Sequence, residues 1–353
     1  MEYVRLGDYV NIKTGKLDAN AATNDGLYPF FTCSKEISRI DKYSYDTECV
    51  LVAGNGDLNV KYYNGKFDAY QRTYIIENNQ DSLFYVKYIY YFMCRYIYEL
   101  KKQTVGGIIK FIKLGNLTEA RIPLLSKKEQ LNVISLFEKI NCILESKTRE
   151  LTDLDTLIKS QFIEMFGDSN NSKGYPIIQV GDYCDKIQVG IVIKPSKYYV
   201  QNGGVKSFRS LNVGELYVKD ENWVEISLEG NRENSKSILN ENDVVIVRSG
   251  NPGTSCVIPK KHSGYNAIDL IIARVNQNLC NSYYLSSFTN FEHGMKQIKE
   301  GTGGAAQQHF NVSKYSKMKI FDVEKKYQDQ FAAIVEQIDK SKFINKMSLI
   351  LQF

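Results

Sequence analysis

The sequence predicts an α+β protein made of two β-rich modules, each followed by a long helix. Three observations carry this. First, Leu6-Gly7-Asp8-Tyr9 and Val180-Gly181-Asp182-Tyr183 open two tracts that run, in the same order, through a Gly-Asn segment, a Gly-Gly segment and a helix beginning Lys-Lys. Second, 25 Tyr and 17 Phe against one Trp mark strand-rich modules with amphipathic aromatic surfaces. Third, residues 127–166 contain neither Gly nor Pro and hold apolar residues at helical spacing.

The first module, residues 1–125, reads as strands and turns with one helix. Glu48–Ala53 is a short apolar run ended by Gly54-Asn55-Gly56, the pattern of a buried strand and its loop. Val60–Tyr63 and Lys66–Tyr70 flank Asn64-Gly65, which suggests a hairpin. Leu83–Lys101 carries Phe84, Tyr88, Ile89, Phe92, Tyr96 and Ile97 at helical spacing before Gly106-Gly107 breaks the chain.

Residues 126–168 form the central helix. Ser126 and Glu129 make a capping box at its start. Phe137, Leu144, Leu151, Ile158 and Met165 fall on one heptad position, with Ile140 and Leu154 on the other. Lys147 and Gln161 interrupt the second, so packing is expected to be specific in register. About 40 residues correspond to roughly 60 Å, the length of a coiled coil or a spacer.

The linker Ser169–Gly174 opens a second module over residues 169–323. Asp243–Val247 is again a buried-strand run, ended by Ser249-Gly250-Asn251-Pro252-Gly253. Asn281–Lys299 matches the first module's helix, and Gly303-Gly304 matches Gly106-Gly107. A last helix over 324–353 places Phe331, Val335 and Ile338 on its apolar side, along with Ile334, Phe343, Met347 and Ile350. Asp8 and Asp182 lie 174 residues apart, whereas Lys127 and Lys325 lie 198 apart, so the second module carries inserted loops before its Gly-Gly segment.

Composition narrows the function. Forty-five basic and 40 acidic residues leave a net charge of +5, which permits a polyanionic partner without requiring one. The seven cysteines are scattered with no Cys-x-x-Cys pair, as expected of reduced thiols in the cytoplasm. No apolar run is long enough to span a bilayer, and Met1–Arg5 lacks the plan of a signal peptide. The phosphate loop and the Gly-x-Ser-x-Gly elbow are missing, as are methyltransferase motifs of the Asn/Asp-Pro-Pro-Tyr kind. Metal-ligand spacing is not evident. The three histidines all lie in the second module, so the repeats share no histidine chemistry. Glu99-Leu100-Lys101 resembles half of a nuclease signature and reads better as helix surface charge.

What remains is polar recognition. Arg and Lys suit guanine edges, and Asn and Gln suit adenine edges; Gly-flanked positions let the backbone approach phosphate. The first module offers Asn55, Asp57, Asn59, Lys61, Tyr63, Arg72, Lys110 and Lys113. The second offers Arg209, Ser210, Asn212, Arg248, Ser249, Asn251, Gln307, Gln308 and His309. Each has a structural alternative. Loop Asn and Gly commonly only form turns, Tyr62-Tyr63 suits sheet packing, and Arg209 and Arg248 after strands equally suit buried ion pairs.

Gly26-Leu27-Tyr28-Pro29-Phe30-Phe31-Thr32, Ala53-Gly54-Asn55-Gly56 and Tyr62–Phe67, together with Phe208–Val213, Val247–Gly253 and Arg121-Ile122-Pro123-Leu124 before Glu129-Gln130, form an ordered set. In this set the chain resembles the specificity subunit of type I restriction–modification systems. The resemblance implies two target recognition domains, each binding half of a split site on double-stranded DNA. It implies that the two long helices pack as an antiparallel coiled coil, set the distance between half-sites and dock two methyltransferase subunits, which restriction subunits join. No catalysis and no cofactor are implied for this chain; S-adenosylmethionine belongs to the methyltransferase partner. The loops of the two modules share little sequence, so the target is expected to be asymmetric. The alternative is a self-contained DNA-modifying or restriction enzyme with an unrecognised site.

Overall fold

The computed structural model describes residues 1–106, 110–302 and 310–350, with Thr302 and 344–350 as backbone only. The chain divides into two compact units, 1–145 and 146–353.

In the first unit β1 (Tyr3–Arg5), β2 (Val10–Thr14), β3 (Tyr28–Phe31), β4 (Ser38–Ile40), β5 (Tyr45–Ala53), β6 (Val60–Ala69) and β7 (Thr73–Asn78) precede α1 (Val86–Gln103), α2 (Leu114–Thr118), β8 (Arg121–Pro123) and α3 (Lys127–Phe166). Six strands make one sheet in the order β2-β7-β5-β6-β3-β4, and β1 pairs with β8. Cys49–Ala53 is buried throughout because the sheet is covered on both faces. Val50, Val52 and Ile76 pack with Ile89 and Met93 of α1 on one face. Cys49, Leu51, Phe67 and Ile75 pack with Phe31 on the other.

The hairpin expected at Asn64-Gly65 does not form. β6 runs straight through it, with Glu48 opposite Asn64 and Thr47 opposite Gly65. The nine residues of β5 supply a partner along most of β6, and only Gly65 of the pair has positive φ, whereas a tight Asn-Gly turn requires it at both positions.

The second unit contains the end of α3, then β9 (Ile177–Gln179), β10 (Cys184–Val189), β11 (Tyr199–Val200), β12 (Val205–Phe208), β13 (Val224–Ile226), α4 (Leu228–Glu233), β14 (Val244–Val247), β15 (Ser255–Val257), β16 (Asn266–Ala267), β17 (Leu270–Val275), α5 (Ser282–Asn290), α6 (Glu292–Thr302), α7 (Val312–Ser316), β18 (Lys319–Phe321) and α8 (Lys325–Ile350). Two four-stranded sheets, β10-β17-β14-β15 and β11-β13-β12-β16, stand where the first unit has one. The counterpart of β6 is divided here into β15 and β16, because Pro259 and a 3-10 turn at Lys260–His262 interrupt it.

The single helix expected over Asn281–Lys299 is two, broken at Phe291. The Asn290 side chain donates to Ser255 O at 2.8 Å, and Ser255 N donates to Asn290 Oδ1 at 3.0 Å, so the helix end is tied to β15. The capping box at Ser126 and Glu129 is formed, with Ser126 N 2.8 Å from Glu129 Oε2 and Glu129 N 3.3 Å from Ser126 Oγ.

The central helix begins and ends where its pattern places it. Its best-buried stripe in the second unit is Ile158, Phe162 and Phe166. These recur every four residues, because an undistorted helix drifts away from a strict seven-residue repeat. Phe331, Val335 and Ile338 of α8 are buried in the same core. Phe331 lies 5.4 Å from the Phe162 ring, and Lys342 Nζ lies 2.5 Å from Asp155. Ile140, Leu144, Leu151, Leu154 and Met165 are half-buried, and Phe137 is exposed but stacks on Tyr91 at 4.8 Å.

The start of each long helix is held by a buried glutamine, Gln130 of the Glu129-Gln130 segment and Gln328, which the sequence pattern did not single out. Gln130 is fully buried, accepts from Tyr85 N at 3.0 Å and donates to the carbonyls of Leu83 and Leu125. Gln328 accepts from Asn281 N at 2.8 Å and donates to Val323 O.

Burial of a different kind makes the second unit sensitive to pH. Asp243 is buried at the start of β14, which pushes its carboxyl up to about 6; Asn240 N, at 2.8 Å, and Arg274, at 4.0 Å, pull the other way. A carboxyl raised above its unfolded value stabilises the fold when protonated, and that contribution is lost as pH rises from about 4 through about 6. Asp243→Asn keeps the acceptor for Asn240 N without the charge. Its melting temperature is expected to match the wild type at pH 4 and exceed it by several degrees at pH 8. A variant less stable than wild type at pH 8 would show that the Arg274 attraction dominates.

Candidate nucleic-acid interface

The repeat extends beyond the helices and glycines into the strands. In the first unit β3 runs parallel to β6, with Phe30 opposite Asp68 and Phe31 opposite Ala69. In the second, β12 runs parallel to β16, with Ser207 opposite Asn266 and Phe208 opposite Ala267. Asp68 accepts from Ser44 Oγ and Ala69 N; Asn266 accepts from Ser237 Oγ and Ala267 N. Tyr70 N donates to Phe31 O as Ile268 N donates to Phe208 O. The loops leaving β3 and β12 therefore start from one frame.

A second pair of loops also superposes by its bonding. Ile112 N donates to Gly54 O at 2.9 Å, and Phe310 N donates to Arg248 O at 3.2 Å. Ala53-Gly54-Asn55-Gly56-Asp57 thus corresponds to Val247-Arg248-Ser249-Gly250-Asn251. Gly56 and Gly250 both have positive φ, 69° and 86°, and a Cβ at either would meet open space. Glycine is needed here for its backbone conformation alone, at an exposed tip that a phosphate can approach closely.

In the first unit hydrogen bonds draw most of the sequence-identified residues together. Gly56 N donates to Lys110 O, and Asn55 bridges Phe111. Asn59 Nδ2 donates to Cys33 O at 2.8 Å and to Asp57 O at 3.0 Å. Lys61 Nζ donates to Ser34 O at 2.6 Å and also binds Asn59 Oδ1. Burial lowers the affinity of the Lys61 amine for its proton. Lys35 and Lys101, which the sequence pattern did not select, flank Asp57 at 3.1 and 3.5 Å. They hold its carboxyl below the usual range, Lys35 foremost.

Arg72 is exposed; its carbonyl accepts from Gly54 N at 2.8 Å, while its guanidinium has no hydrogen-bond or ion-pair partner among the described residues. It borders a cavity of about 260 Å³ with Gln71, Tyr74 and Phe111. Lys110 and Lys113 are exposed on either side of Ile112. Tyr63 instead packs on Phe31 and Phe67, with its hydroxyl on Lys66 O.

The second unit handles its arginines differently. Arg248 Nη1 lies 2.8 Å from Asp269, Arg248 Nε donates to Phe310 O at 3.3 Å, and the side chain is 16% exposed. Of the two readings open for Arg248, the geometry meets that of an ion pair. Arg209 Nη2 donates to Asn222 O at 2.9 Å, while its buried Nε has no partner. Asn212 is fully buried. It accepts from Arg209 N at 3.0 Å and donates to Glu221 O at 2.8 Å. Ser210 and Asn251 are exposed and Ser249 is half-buried. Gln307, Gln308 and His309, with Gly107, Gly303 and Gly304, lie outside the described residues. His262 and His293 are core residues whose burial lowers their proton affinity. No group of three or more potential metal-binding side chains occurs among the described residues, and no helix is long and apolar enough to cross a membrane.

This architecture is a pair of β-rich modules on one repeated strand frame. Residues 1–142, nearly all of the first unit, match the family model described as type I restriction modification DNA specificity domain. Over 156 residues, 44% of the chain, it is 38% identical to the type I restriction enzyme EcoDI specificity subunit of Escherichia coli, of which it covers 34%. The chain thus matches about a third of that relative's length. The S subunit of a type I restriction-modification system from M. genitalium aligns with TM-score 0.61 over 99% of this chain and 91% of its own, at 16% identity. A chain from a structure concerned with complex assembly and conformational transition of the type I R-M system aligns with TM-score 0.57 over 99% and 93%, at 15% identity. At such identities the likeness is one of fold, and it covers nearly the whole chain.

Proposed function

We propose that this chain is the DNA-reading subunit of a type I restriction–modification complex. Each unit binds one half of a split, asymmetric site on double-stranded DNA. Two methyltransferase subunits carry S-adenosylmethionine and dock on the long helices, restriction subunits complete the assembly, and the complex works in the cytoplasm. The observation that carries this reading is the pair of equivalent loop sets on one repeated frame, with different side chains on each. In the first unit, exposed Arg72, Lys110 and Lys113 beside the Gly56 tip supply the positive, backbone-accessible surface that phosphates favour. In the second, Arg248 positions its loop through Asp269, leaving Ser249, Asn251 and the Gly250 tip as the corresponding surface.

The chain alone is expected to transfer no methyl group from S-adenosylmethionine to DNA. Adding its methyltransferase subunits should produce transfer that weakens steeply between 50 and 200 mM salt, as binding through several phosphates does. Methyl transfer by the purified chain alone would overturn the proposal and favour a self-contained enzyme.

A further inference from the structure

The two units share their frame but differ in the loop that leaves it. Between β3 and β4 the first unit has residues 32–37; between β12 and β13 the second has residues 209–223. Both loops are braced from below. Asn59 and Lys61, on the loop before β6 and on β6 itself, hold the carbonyls of Cys33 and Ser34. Cys33 Sγ contacts Arg72 O at 3.4 Å.

In the longer loop Asn212 ties both ends together. Val213 and Leu216 are buried, and Glu215 reaches Lys159 of α3 at 3.3 Å. Asp220 takes Lys261 Nζ at 2.8 Å and Trp223 Nε1 at 2.9 Å. Most of the additional residues therefore anchor the loop. Exposed directly beyond the frame are Ser34–Ile37 in one unit, with Ile37 55% exposed, and Ser210-Leu211 in the other, with Leu211 62% exposed; Glu215, Tyr217 and Asp220–Asn222 are exposed further along the longer loop. An exposed aliphatic group next to a polar one, on a braced loop, suits the major-groove edge, where a thymine methyl lies beside hydrogen-bonding atoms.

We infer that Ser34–Ile37 and Ser210-Leu211 select the bases of the two half-sites, and that Asn59, Lys61 and Asn212 hold these segments in place and do not touch DNA. The inference rests on the functional reading above. Full-length chain with its methyltransferase subunits is expressed in cells, and the methylated motif is determined by long-read sequencing. Ser34→Ala combined with Lys35→Ala should reduce base preference about tenfold or more at one position or more of a single half-site, leaving the other half-site and the spacing unchanged. Leu211→Ala should do the same in the other half-site only. Asn59→Ala should relax the same half-site as the Ser34/Lys35 variant while methylation persists. A lost phosphate contact would instead weaken binding equally on every sequence and lower its salt dependence. An unchanged motif at normal methylation in the first two variants overturns the inference. A wild-type chain that directs no methylation overturns the functional reading itself.

Discussion

Replacing Phe162 by alanine should cost the second unit about 3–5 kcal/mol, the usual range for removing a fully buried aromatic ring. Phe162 is fully buried on α3. Its ring lies 4.9 Å from Phe166, 5.4 Å from Phe291, 5.2 Å from His293, 5.7 Å from Tyr284 and 5.4 Å from Phe331. The contacts join α3 to α5 and α8 and to the chain at the α5–α6 break. No one neighbour can move into the gap without leaving another partner, so the site collapses poorly and the cavity persists. For a unit of this size the melting temperature should fall by about 10 °C. A loss below ~1 kcal/mol in urea unfolding would show that the core closes over the missing ring and that α3 is not tied to α8 through it.

Gly15→Ala and Gly190→Ala should be about as damaging, one in each unit. A Cβ on Gly15 would stand 2.0 Å from Ala69 O, and one on Gly190 would stand 2.3 Å from Ala267 O. The obstacle in both cases is backbone, which no rotamer change can move aside. Gly15 N donates to Thr73 O and Gly190 N to Leu270 O, so the chain cannot swing away without breaking a sheet bond. A cost of ~3 kcal/mol or more is expected for each, at the upper end for overpacking. Hydrogen exchange should locate the loss near β2, β6 and β7 for Gly15→Ala, and near β10, β16 and β17 for Gly190→Ala. Native protection at these strands in either variant would contradict the close approach.

These two glycines show how much of the molecule was legible in its sequence. Leu6–Tyr9 and Val180–Tyr183, the capping box at Ser126 and the limits of α3 are local features, and local pattern found them. The correspondence of Gly15 with Gly190 was not found, and the two Gly-Asn loops were matched in order but not in the register that sets Ala53–Asp57 against Val247–Asn251. Both depend on which strand lies beside which, as in the parallel pairs β3 with β6 and β12 with β16. A side chain at a matching place has also changed character: Asp68 corresponds to Asn266.

The same long-range pairing decides the candidate site. Asn59, Lys61 and Asn212 have the residue types of DNA contacts, yet Asn59 and Lys61 are bonded to the β3–β4 loop and Asn212 to its own loop. Arg248 is bonded to Asp269 across more than twenty residues of chain, which no spacing could reveal. Lys35 and Ile37 gave no motif at all, and Leu211 figured only as one position of Phe208–Val213; all three stand out once their loops are seen to leave a common frame.

The central claim is that two unlike reading surfaces on a duplicated frame read one split DNA site. Long-read methylome sequencing of cells that express this chain with its methyltransferase subunits tests it most directly. The account predicts a single motif that appears only with this chain, made of two different half-sites separated by a non-specific spacer of fixed length. A contiguous motif, a palindromic one, or methylation that does not depend on the chain would contradict it.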